Sequence, residues 1–163
     1  MLLGLTGCAA STRHLPAVQG FEVNKYLGKW YEIARFDNYF ERDLIKVSAE
    51  YKLRDDGRVD VINRGFNPKD NSYQVANGIA QFVDKPEAGD LEVTFFWPFY
   101  GGYKILELDK LGYRYALVTS DSFDYLWILA RDPVLDEPTY QMLVKKAREL
   151  GFNTSALIKL VPN

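Results

Sequence analysis

From residue 27 onward, apolar and polar positions alternate with a period of two along runs at 29–36, 47–53, 58–66, 72–83, 91–97, 103–108, 113–119 and 125–130. In the second run Val47, Ala49, Tyr51 and Leu53 are separated by Ser48, Glu50 and Lys52. That period is the mark of a strand with one buried face. Eight such runs, joined by turns and with no helical pattern between them, predict an antiparallel up-and-down meander. Rolling the meander shut removes both exposed edges, and eight strands leave an interior wide enough for one small ligand.

The connections divide into two sets, which fall at opposite ends of a closed meander. The second, fourth and sixth links (55–57, 85–89 and 109–112) are compact, and each contains the glycine that tight hairpins need. The first, third, fifth and seventh (37–46, 67–71, 98–102 and 120–124) are mostly longer or richer in aromatics. One end is therefore expected to be closed and the other to be a mouth with mobile lips. Strand one enters from the closed end through Gly28-Lys29-Trp30-Tyr31, and strand eight returns there as Arg131. Closure puts the Arg131 guanidinium beside the Trp30 indole, a cation–π contact of about 0.5–2 kcal/mol. The tryptophan then plugs the barrel.

One helix is predicted, over 136–150. Asp136 serves as its N-cap, Pro138 lies in the first turn, and Gly151 stops it. Tyr140, Leu143, Ala147 and Leu150 share one face, expected to pack outside the barrel on Ala116, Val118 and Ile128. A short ninth strand is predicted near 156–160.

Alternation also assigns the inner wall. Val47, Ala49 and Tyr51 face inward on strand two, Val61 and Asn63 on strand three, and Val93, Phe95 and Trp97 on strand five. Strand four leaves its parity open, and the small row Ala76 and Gly78 is taken as inward because it leaves room for a ligand. Strand eight contributes Tyr125 and Trp127, and strand seven Tyr115 and Leu117. Strand six gives no assignment, since Lys104 and Glu107 have opposite parity. Aromatics mixed with small residues suit an aliphatic tail. A core filled by its own side chains is the competing reading. Arg42 and Lys46, beside Tyr39 and Phe40 in the first loop, can meet a phosphate or carboxylate, or can form an ordinary solvated loop.

The 20 basic and 22 acidic residues give a net charge of −2 with no basic stripe, so neither nucleic acid nor a polybasic membrane patch is indicated. The one cysteine, Cys8, excludes an internal disulfide and a multi-cysteine metal site. The one histidine, His14, lies in the polar lead, so no metal or haem ligation is expected and no cofactor is assigned. No run of about 18 apolar residues is present to span a membrane. Leu5-Thr6-Gly7-Cys8 resembles the bacterial lipobox, where cleavage precedes a cysteine that receives a diacylglyceryl group. Residues 1–20 are accordingly read as a truncated leader, lipobox and tether, and 21–163 as the folded domain. Asn153-Thr154-Ser155 matches a glycosylation acceptor but reads as a loop before the last strand.

Gly28-x-Trp30-Tyr31, Thr119-x-Asp121 and Arg131 resemble the three lipocalin motifs, with longer matching strings at 28–36, 98–103 and 125–133. The second motif departs from the family pattern, because Ser122-Phe123-Asp124 displaces its tyrosine to Tyr125. The chain is similar to the bacterial lipocalins, outer-membrane lipoproteins related to the apolipoprotein D group. The resemblance implies an eight-stranded calyx that binds fatty acids or lysophospholipids. It also implies a periplasm-facing position at the outer membrane, with the lipid anchor on Cys8. Two other readings compete with a non-enzymatic carrier. One is an enzyme on the same scaffold, for which Glu32 is the main carboxylate and no carboxylate pair or inward histidine is foreseen. The other is a structural envelope-stress lipoprotein with a filled barrel.

Overall fold

The computed structural model describes residues 10–160 and 162, so Cys8 lies outside the described residues. Eight strands follow the predicted alternation: β1 (Gly28–Phe36), β2 (Ile45–Leu53), β3 (Val59–Asn67), β4 (Ser72–Phe82), β5 (Asp90–Phe96), β6 (Phe99–Leu108), β7 (Tyr115–Thr119) and β8 (Leu126–Ala130). All neighbours are antiparallel, and β1 pairs with both β8 and β2, which closes the barrel. A short β9 (Leu157–Lys159) extends β1 beyond the end of its β2 pairing, opposite Ala34–Phe36. The chain enters through a one-turn helix, α1 (Val23–Tyr26), which the strand pattern did not announce.

Two irregularities decide which side chains face the interior. Between Glu32 and Ala34 the β1–β8 register shifts, so Trp30, Glu32 and Arg35 point inward while Ile33, Ala34 and Phe36 point outward. A second shift between Ile105 and Glu107 accounts for the opposite parity of Lys104 and Glu107. Strand β6 also begins earlier than expected, at Phe99. The fifth link therefore shrinks to residues 97–98, and Trp97 stands at a hairpin tip.

Helix α2 (Glu137–Glu149) is capped by Asp136, whose carboxylate accepts from the Thr139 N–H at 3.0 Å. It ends at Gly151, where φ is +103°. Its buried Tyr140, Leu143, Val144 and Ala147 pack on Leu117, Leu126, Ile128 and Ala130. This corrects the expected facing of β7. Ala116 and Val118 belong to the barrel interior with Trp30 and Leu129, while Leu117 and Tyr115 face the helix side. Both faces of β7 are covered and both are apolar, so alternation carries no information there.

Residues 10–20, expected to form a tether, run along the outside of the barrel from the mouth towards the closed end. Thr12 N–H donates to Asp121 O, Val18 N–H donates to Ile105 O, and Phe21 N–H donates to Glu87 O. Lys104, only 8% exposed, donates to the carbonyls of Leu15 at 2.9 Å, Arg13 at 3.2 Å and Thr12 at 3.4 Å. The three carbonyl dipoles take the place of the water that the amine gives up on burial.

Candidate functional site: an open calyx

The closed end is a stopper built around two side chains. Trp30 is fully buried, and its indole N–H donates to Tyr26 O at 2.8 Å. The Arg131 guanidinium lies 4.1 Å from the Trp30 ring centroid. It also donates to the carbonyls of Lys25 (2.7 Å), Leu27 (2.8 Å), Lys29 (3.1 Å) and Tyr113 (3.2 Å). Gly28 sits at φ +93°, a conformation that disfavours side chains, and a Cβ there would stand 3.4 Å from Arg131 Nη1. Tyr31 faces outward, with the Lys29 amine 4.7 Å over its ring.

Above the stopper a cavity of about 650 Å³ opens to the surface. Its wall includes Val47, Ala49 and Tyr51 on β2, Val61 and Asn63 on β3, and Ala76 on β4. Val93 and Phe95 on β5, Trp127 on β8 and Tyr125 just before it complete the predicted part of the lining. Four expected lining residues lie elsewhere. Gly78 is covered by Phe95, whose ring would stand 2.8 Å from an added Cβ, so the bare backbone is what lets that ring lie flat. Trp97 is 80% exposed at the β5–β6 tip, beyond the reach of the wall. Tyr115 and Leu117 point towards α2 for the reason given above. Val118 takes their place, and Tyr103 joins the wall from the strand whose parity was hidden by its bulge.

The main polar feature of the wall is a cluster that sequence reasoning did not assemble. Arg35, buried on β1, donates to Glu32 Oε1 at 3.1 Å and to the carbonyls of Glu41 (2.8 Å) and Leu44 (3.0 Å). Glu41 Oε2 accepts from the Trp127 indole N–H at 2.8 Å and from Asn38 Nδ2 at 2.7 Å. Asn38 Oδ1 in turn accepts from the N–H groups of Phe40 and Glu41, both at 3.1 Å. The first loop is thus tied to the wall, where mobile lips were expected. Glu32 and Glu41 also form the carboxyl pair that the inner face was expected to lack. Burial pushes the Glu32 carboxyl well above the ordinary carboxylate range. Glu41 pushes it the same way, and Arg35 only partly opposes.

At the rim Asp121 Oδ2 accepts from Gly102 N–H at 2.7 Å, and Thr119 Oγ1 donates to Tyr125 O at 2.7 Å, shaping the seventh link. Arg42 is held by Asp37 at 2.9 Å, and neither it nor exposed Lys46 lines the cavity. His14 is exposed, 5.9 Å from the Phe123 ring. Among the described residues, no three His, Cys, Asp or Glu side chains converge as a metal site.

With this geometry in place, a sequence profile of the lipocalin-like domain matches residues 21–162. The chain belongs to the lipocalin family. The outer membrane lipoprotein Blc of Escherichia coli (strain K12) is 46% identical to this lipocalin over 156 residues, covering 94% of this chain and 88% of the relative. The Blc protein of Vibrio cholerae is 43% identical over 154 residues, covering 94% and 90%. Bovine (Bos taurus) apolipoprotein D is 36% identical over 138 residues, covering 80% and 71%. The lipocalin's backbone also superposes on insecticyanin from the tobacco hornworm Manduca sexta with a TM-score of 0.74, covering 91% and 85%. At 20% identity that match speaks for the fold alone.

Proposed function

We propose that this lipocalin binds and carries a single-chain lipid, a fatty acid or lysophospholipid, at the bacterial outer membrane, held there by a diacylglyceryl group on Cys8. The observation that carries the reading is the open cavity of about 650 Å³, within the usual range of small-molecule sites. Its walls are largely apolar and aromatic, with polar side chains at Glu32, Asn38 and Glu41, at Ser48 and Asn63 on β2 and β3, at the Tyr51 and Tyr103 hydroxyls, and at the rim. Burying roughly fifteen methylenes contributes about 12 kcal/mol at about 0.8 kcal/mol each. Loss of ligand freedom removes about 4 kcal/mol or more, leaving affinity on the order of micromolar. A hollow of this size speaks against a barrel filled by its own side chains. The lipobox-like string and the relatives named outer membrane lipoproteins support the anchor.

Delipidated protein titrated with a fluorescent fatty acid and a fluorescent lysophospholipid should show saturable uptake. Trp127→Ala, which strips one wall and frees Glu41, should weaken uptake several-fold. Ala49→Phe, which fills the hollow, should abolish it. Absence of saturable uptake of either probe, or indifference to both substitutions, would refute the carrier. Acylation is read separately, by incorporation of labelled fatty acid that disappears in Cys8→Ser.

A further inference from the structure

The start of the described chain is pinned to the mouth. Ala10 O accepts from Phe123 N–H at 3.0 Å, Ser11 bridges Ser122, and Thr12 N–H donates to Asp121 O at 3.0 Å. All three partners lie in the link between β7 and β8, beside cavity-lining Ser120, Asp121 and Ser122. Cys8 is two residues from Ala10, and two residues of extended chain reach at most about 7 Å. The same end carries every exposed Phe, Tyr and Trp among the described residues. Phe40 (73% exposed), Phe96 (78%) and Phe99 (76%) stand with Tyr39 and Trp97 around the opening. The opposite end presents the charged turns at 55–58, 84–87 and 109–110. Such a crown of aromatics in water is costly, and it suits the boundary between headgroups and acyl chains.

We propose that the protein docks mouth-first on the lipid surface, its aromatic crown seated among the headgroups, so that cargo passes between bilayer and calyx without crossing water. The proposal rests on the anchored-carrier reading, and its test supplies the anchor artificially so that the two can fail separately. Because Cys8 is the chain's one cysteine, the full chain can be coupled at that thiol to a maleimide lipid. The vesicles are phosphatidylethanolamine and phosphatidylglycerol containing brominated phosphatidylcholine. Bromine should quench the wild-type tryptophan emission, and Trp97→Phe should remove most of that quenching. Phe96→Ser with Phe99→Ser should reduce quenching of the remaining Trp97. Absent quenching, or equal quenching in wild type and Trp97→Phe, would overturn the orientation whatever the natural acylation assay reports.

A different observation carries a second proposal. At the floor of the calyx Tyr103 OH lies 2.6 Å from Tyr26 OH and 2.8 Å from Tyr51 OH. Three hydroxyls bring three protons, and two hydrogen bonds use two of them. One donor is left over. If Tyr26 donates to Tyr103 and Tyr103 to Tyr51, the spare proton is on Tyr51. If Tyr26 and Tyr51 both donate to Tyr103, it is on Tyr103. Both residues line the cavity. The third arrangement leaves it on Tyr26, which does not line the cavity and borders, with Tyr51 and Tyr103, only a small void of about 20 Å³.

We infer that the floor selects an acyl chain bearing an acceptor oxygen near its buried end, an inference that also rests on the carrier reading. A positional series of ketostearic acids, which accept but do not donate, tests it against stearic acid by displacement of a fluorescent fatty acid. The best isomer should bind about fivefold more tightly than stearic acid, the worth of one net hydrogen bond. The double variant Tyr51→Phe/Tyr103→Phe should lose that preference while still taking up stearic acid. Tyr26→Phe, which leaves one hydroxyl pair with one spare proton, should keep it. No preferred isomer, or a preference that survives the double variant, would overturn the floor and leave the carrier standing. Failure of stearic acid itself would defeat both.

Discussion

Arg131 covers the Trp30 ring at 4.1 Å and at the same time donates to four backbone carbonyls of the closed end. The residue that follows β8 is therefore the clasp for the residues that lead into β1. Arg131→Met removes the cation and leaves those carbonyls to water or to nothing, at a cost of about 2–4 kcal/mol. Arg131→Lys keeps the charge but loses the planar fork, and should cost about 1–2 kcal/mol. Urea midpoints should fall in the order wild type, Lys, Met. Midpoints indistinguishable from wild type would remove the clasp from the account.

The rim depends on a missing side chain. A Cβ at Gly102 would stand 2.5 Å from Asp121 Oδ1, the neighbour of the oxygen that accepts from Gly102 N–H. Gly102→Ala should destabilise the protein by about 1–3 kcal/mol through that clash and the displaced hydrogen bond. In an Asp121→Ala background the same substitution should cost far less, which is the coupling a double-mutant cycle measures. Additive costs would show that the two residues act independently.

The sequence made the barrel, its closed end and the α2 cap legible because each rests on local, repeated signals. Alternation placed Val47, Ala49, Tyr51 and Val61 on the inner wall, and Gly28, Trp30 and Arg131 announced the stopper. Alternation failed where both faces are apolar, as in β7. There cross-strand pairing would have decided the matter, since Leu117 lies opposite Ile128 and must share its helix-facing side. It failed again at the bulges beside Glu32 and Glu107, which reverse parity without a sequence mark. The Glu32–Arg35–Glu41 cluster joins a strand to a loop, and no period connects those.

The N-terminal strap was hidden for a related reason. Lys104 reads as an exposed strand lysine until Thr12, Arg13 and Leu15 are laid over it. Lys104→Met fills the space but leaves those carbonyls without a donor. Global stability should drop by about 1–3 kcal/mol. Amide exchange at 12–18 should accelerate more than exchange in the barrel strands, as expected for local release. Uniform acceleration, or none, would show that Lys104 does not hold the strap.

Glu32 makes stability depend on pH in a direction opposite to that of a paired surface carboxylate. Its folded-state pKa is raised above the ordinary value of 4.5, chiefly by burial and then by Glu41. The folded protein therefore holds this proton more tightly than the unfolded chain. Its contribution is fully present below the ordinary carboxylate range and is lost as pH rises through the raised value. Across that window wild-type stability should decline by up to about 1.4 kcal/mol per pH unit from this group. Glu32→Gln keeps an oxygen for Arg35 Nη1 but has no proton to lose, so its stability should stay flatter over the same range. The urea midpoints of the two proteins, measured from pH 4 upward, should converge at acid pH and separate above it, with the variant the more stable. Parallel pH profiles would mean that Glu32 titrates as an ordinary carboxylate and that the cavity wall does not strain its charge.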